Sequence, residues 1–205
     1  MSERDWPIDV HADSGSRLPA PRRESLDDAA KAVYDYFADP DGGSYVGLHG
    51  PGGVRLHSPR LAALLHPLNR YLRRESGIPS VVCELSILVT ARAFDSQFEW
   101  TAHEQEALAA GVPLATIDVV RHRRPVDGLT EREQVVIQLG REMFETHRVS
   151  PGTYARAQRE FGTRMLVDLV AVMGSYASTA ALLCAFDVQL QPGWEPLLPV
   201  GRTGN

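Results

Sequence analysis

VVCELSILVTARAFDSQFEWTAHEQEALAAG, residues 81–111, decides how the chain folds. Its first half, through Ala93, is apolar on nearly every side and broken only by Glu84, Ser86, Thr90 and Arg92. That pattern reads as a helix covered by neighbours all round, with Ser80 placed to cap it. Phe94 and Asp95 mark a short break, and a second helix runs from there to Gly111, a glycine suited to end it. Two helices joined by so short a turn fold back as a hairpin. On the second helix Ser96, Glu99 and His103 stand three and then four residues apart, which is one helical face. Either that face is solvated, or it presents a row of chemical groups to a pocket.

Outward from this hairpin, helical periodicity recurs and strand alternation is scarce, so the expected class is all-α with about seven helices. Ser25 with Asp27 and Asp28 opens a helix to about Ala38, acids at its positive end. PDGGSYVGLHGPGG, residues 40–53, reads as a long loop because of its glycines and prolines, either a lid over a pocket or a plain surface connection. Ser58-Pro59 opens a helix to about Arg74. Another covers roughly Leu114 to Arg121. Thr130 and Glu133 form a capping box for a helix to about Thr146. Ser150-Pro151 starts one that Gly162 ends, and an apolar helix over 163–186 closes the fold. The expected organisation is an arm over 1–24, a helical domain over 25–190 and a Pro/Gly-rich tail over 191–205.

Composition excludes several function classes. The chain has 205 residues, 43% hydrophobic and 23% charged, which suits a globular domain with a real core. Its formal charge of −5, with basic residues clustered only at RHRRP, 121–125, argues against nucleic acid as a partner. RHRRP itself reads as a solvated helix end or a carboxylate-binding patch. The arm has no apolar h-region and reads as flexible or surface-draped, and two cysteines without a CxxC pair fit a cytoplasmic protein. The stretch 165–186 is long enough to span a bilayer, but Asp168, Gly174 and Ser175 fit a buried central helix, so no membrane partner is expected.

Glu84 in VVCELSILV would be costly to bury as an unpaired ion, so it needs a partner or a proton. The hairpin brings it toward Ser96, Glu99 and His103. Glu99 and His103 are an i, i+4 pair, and a carboxylate beside an imidazole favours its charged form and orients it. Two acids and a histidine in a partly dry site can exchange protons near neutral pH. A structural glutamate and a solvated Glu–His pair remain the plain alternatives. Tyr176 on the last helix either lines the pocket or fills the core.

Glu84, Ser96, Glu99 and His103 at these spacings, with ELSILVTAR, QFEWTAHEQEALAAGV and ETHRVSPGTYARA around them, resemble the carboxymuconolactone decarboxylase family, which includes alkyl hydroperoxidase D. The resemblance runs from about Leu26 to Phe186. In the family's peroxidase branch two cysteines stand where this chain has Ser96 and Glu99, so the resemblance is to the non-peroxidase branch. Cys83 has no neighbouring thiol to resolve it.

The resemblance implies a helical fold of the alkyl hydroperoxidase D type that assembles as a trimer or hexamer. It further implies a carbon–carbon lyase that removes carboxylate from a small lactone of aromatic breakdown. The substrate's own carbonyl takes up the electron pair, so no cofactor and no metal is expected. His103 is then proton donor or general base, Glu99 its orienting partner and Glu84 a second acid or base. Ser96, Tyr176, His49 and Trp100 are the expected substrate contacts, His49 from the loop. The family's pathway decarboxylases are shorter than this chain, whose arm and loop 40–53 are additions that bear on which substrate fits. A catalytically idle oligomeric scaffold is the second reading.

Overall fold

A computed structural model of the chain describes residues 6–40 and 46–199. Among these residues lie eight α-helices and no β-strand: α1 Asp28–Ala38, α2 Pro51–Leu56, α3 Pro59–Arg70, α4 Ser80–Ala93, α5 Gln97–Ala109, α6 Leu114–Arg121, α7 Glu131–Glu145 and α8 Pro151–Ala185. The all-α expectation holds. The described residues fall into two compact units, one drawn from residues up to Leu68 with Ala181–Glu195, the other from Asn69–Ala180 with Pro196 onward.

In the first unit Asp27 caps α1, its carboxylate accepting from the Ala30 amide at 2.8 Å. Ala30 and Val33 then pack with Leu26, Leu56 and Ala62 in a small core. The loop expected over 40–53 is shorter than its glycines suggest, because Pro51 opens α2 at a position where its fixed φ suits a first helical turn. Gly53 is required there: a Cβ would lie 2.0 Å from the Leu48 carbonyl oxygen. These glycines serve close packing inside a helix. Residues 41–45 of the expected lid lie outside the described residues. Part of the arm is tied down, since the Arg17 amide donates to the Phe186 carbonyl and the Gln189 amide to the Gly15 carbonyl, each at 2.8 Å.

The second unit is built around α4, buried from Val82 to Ala91 and packed against α5, α6 and α7. Ile87, Leu88, Trp100, Ile117, Val136 and Leu169 are among its fully buried side chains. Gly140 lets α7 approach closely, since a Cβ there would meet Val89 at 2.4 Å. Thr130 and Glu133 form the expected capping box on α7. Ser80 is not a cap: it is the first residue of α4, and Pro79 holds the N-cap position. The helix expected to reach Arg74 ends at Arg70, and a π-helical turn over Tyr71–Glu75 follows it. Gly162, at φ 68°, ends one helix and a second begins after it, as expected, so α8 is two helices meeting at a kink. By length and composition alone α8 could cross a membrane. In the fold it lays Leu166, Leu169, Val172, Met173 and Tyr176 into the core at three- and four-residue intervals.

Candidate functional site

Backbone chemistry between α4 and α5 sets the site. Asp95 adopts φ 49°, a left-handed conformation that aspartate tolerates better than most residues. The Ser96 amide reaches back to the Ala91 carbonyl at 2.8 Å and the Asp95 amide to Arg92 at 3.3 Å, which closes α4 in a Schellman turn. Asp95 is held by Arg92 and Arg123. The chain reverses within three residues, and the expected hairpin forms.

Across this hairpin His103 Nδ1 meets Glu84 Oε2 at 2.8 Å, with both side chains only 8% exposed. The other carboxylate oxygen, Oε1, accepts from Arg73 Nη2 at 2.8 Å. Glu84 is thus divided between a guanidinium and an imidazole. Burial would push its carboxyl up; the hydrogen bond and charge of His103, with Arg73 behind them, outweigh burial and hold it below the ordinary glutamate value. An ionised carboxylate only accepts, so the proton on this contact belongs to His103 Nδ1. In the neutral ring the nitrogen without a proton is then Nε2. The Tyr176 ring stands edge-on to the imidazole, centroids 5.0 Å apart at 85°.

Glu84 therefore occupies the orienting position at Nδ1 that the spacing assigns to Glu99. Glu99 lies one turn before His103 on α5 and is 2% exposed, so neither residue forms a solvated pair. Ser96 is half-buried at the N-cap of α5, and its side chain makes no capping bond.

One expected substrate contact faces the core. Trp100 is completely buried in the hydrophobic core, where its indole donates to Glu104 Oε2 at 2.6 Å. Arg121 stacks over that ring at 5.7 Å and pairs with Glu104 Oε1 at 2.6 Å, so the first arginine of RHRRP is a half-buried tie, while His122, Arg123 and Arg124 are exposed at the helix end as expected. His49 belongs to the first unit: its Nε2 lies 3.0 Å from the Gln189 carbonyl, and its ring covers Gly15. A cleft of about 470 Å³ in that unit, lined by Phe37, Val46, Leu48 and Gln191, contains none of the expected site residues.

Arg73 is the member that sequence reasoning missed. The signal was available, because Glu84 demanded a counter-charge and RYLRRE precedes it by about ten residues. A straight α-helix through this segment does not single out Arg73 from Arg70 and Arg74, and the π turn cannot be read from composition. Cys83 points into the core, where burial first and the Glu84 charge second push its thiol up to about 12. Among the described residues no three histidine, cysteine or carboxylate side chains converge to hold a metal ion. The chain matches no protein-family model, no curated protein and no solved structure.

Proposed function

We propose that this chain is a cofactor-free lyase or isomerase that moves a proton on a small carboxylated lactone or a related carbonyl compound. The observation that supports it is the buried Glu84–His103 contact of 2.8 Å, a histidine oriented by an ionised carboxylate. In a decarboxylation the C–C bond to the substrate carboxylate breaks, CO₂ leaves, and the electron pair delocalises onto the lactone carbonyl as an enolate. His103 as imidazolium then delivers its Nε2 proton to the enolate carbon, and Glu84 stabilises the imidazolium before transfer and holds Nδ1–H after it. Solvent restores the proton.

The reading keeps the kinship to the carboxymuconolactone decarboxylase family, an alkyl hydroperoxidase D-like fold, assembly as a trimer or hexamer and a cytoplasmic place in aromatic catabolism. It needs no thiolate, and a Cys83 thiol pushed to about 12 supports leaving thiol peroxidase chemistry aside.

A panel of small carboxylated γ-lactones tests the proposal, with CO₂ release followed for the wild type and His103→Ala. Loss of release in the variant by about 10²–10⁴-fold supports it. Equal release from a correctly folded His103→Ala protein sinks it.

A further inference from the structure

Arg73 reaches Glu84 from an unusual piece of backbone. The π turn Tyr71–Glu75 closes with the Ser76 amide on the Tyr71 carbonyl at 2.8 Å, a five-residue step that displaces its side chains from α-helical register. Helix α8 holds both ends of that turn. The Tyr71 hydroxyl lies 3.3 Å from both Asp168 carboxylate oxygens, and Arg164 Nη1 donates to the Ser76 carbonyl at 2.8 Å. A π turn fixed from two sides, with a guanidinium on a buried carboxylate, is more than a helix end.

Charge arithmetic gives it a purpose. Glu84 alone beside His103 would hold a proton on the imidazole, since an anion in a dry site strongly favours the imidazolium. A histidine trapped in that state gives a proton poorly and takes none. Arg73 cancels the Glu84 charge while leaving Oε2 free to accept from Nδ1–H. The ring meets Glu84 on α4 and Tyr176 on α8; Arg73 on the π turn stands on the far oxygen of Glu84, and the Glu99 carboxyl lies one turn earlier on α5.

We propose that Arg73 is a positioning residue, whose guanidinium neutralises Glu84 so that Glu84 orients the His103 ring without trapping it as imidazolium. The inference rests on the proton-transfer reading of His103 and adds the residue that sets its charge.

The test is an NMR titration of the His103 ring in full-length, substrate-free protein, for the wild type, Arg73→Gln, Arg73→Lys and Glu84→Gln. Removing the cation in Arg73→Gln moves the ring's titration midpoint upward by roughly one pH unit or more, a tenfold change in proton affinity. Arg73→Lys, which keeps the charge, stays near the wild type. Glu84→Gln moves the midpoint the opposite way, and it answers the question if Arg73→Gln fails to fold. The pH–rate profile of any substrate found follows the same displacement, with kcat and not KM affected. An unmoved midpoint in Arg73→Gln or in Glu84→Gln overturns the proposal, as does an equal shift in Arg73→Gln and Arg73→Lys. A rise in KM alone also overturns it, because Arg73 would then be a substrate contact. The titration needs no turnover, so its failure is distinguishable from failure of the lyase reading, which shows as an unaffected His103→Ala enzyme.

Discussion

Glu84 and His103, nineteen residues apart in sequence, share a 2.8 Å contact in which one is an ionised acceptor and the other a donor through Nδ1. The carboxylate sits on the most buried helix of its unit and survives there as an anion because two donors divide its oxygens. Removing either donor leaves a charge poorly solvated.

Replacing Glu84 by Gln strands the Arg73 cation and leaves one amide oxygen where two carboxylate oxygens served Arg73 and His103. The expected cost is about 1–3 kcal/mol, moderated because Arg73 is partly open to solvent. Urea titration of the variant at neutral pH measures it; a variant as stable as the wild type would mean the contact contributes nothing to folding.

Acid should unfold the protein in part through the same carboxyl. Its folded-state value lies below the ordinary 4.5, so the unfolded chain binds the proton more readily. The stabilisation is therefore complete above about pH 4.5 and disappears as pH falls through the lower, folded-state value. Unfolding free energies between about pH 3 and 6 should fall more steeply for the wild type than for Glu84→Gln. Parallel curves would contradict it.

The two thiols should differ sharply. Cys184 is exposed, whereas Cys83 is buried with its thiol pushed up to about 12. A disulfide reagent should label Cys184 alone in the native protein and both cysteines in denaturant. Rapid native labelling of Cys83 would show that its helix opens.

Trp100 separates core from site. Phe in its place removes the Glu104 bond and part of the core volume, with an expected loss of about 2–3 kcal/mol. The folded variant should keep its KM, and a rise in KM at unchanged stability would return Trp100 to the substrate contacts.

Much of this architecture was legible because local signals and burial agreed. The Thr130–Glu133 box and Gly111 begin or end helices through bonds made within a few residues, which sequence displays directly, whereas Asp27 and not Ser25 caps α1. Glu84 stood out by being charged in an apolar run, and its meeting with His103 follows from one short turn. What escaped depends on partners distant in sequence. Gly52 and Gly53 are glycines inside a helix because Phe37 and Leu48 leave no room for a Cβ. Trp100 and His103 lie only three residues apart, yet one fills the core and the other faces Glu84. Arg73 was hidden by a π turn whose bracing comes from Asp168 and Arg164, almost a hundred residues on.

The most direct measurement is the ¹⁵N spectrum of the neutral His103 ring in the wild type, Glu84→Gln and Glu99→Gln, with His103→Gln to assign it. In the wild type and in Glu99→Gln the proton is expected on Nδ1 with Nε2 unprotonated; in Glu84→Gln, where one amide oxygen serves both Arg73 and Nδ1–H, a mixture of tautomers is expected. A ring that carries its proton on Nε2 in the wild type, or moves it there in Glu99→Gln, contradicts Glu84 as the group that orients it.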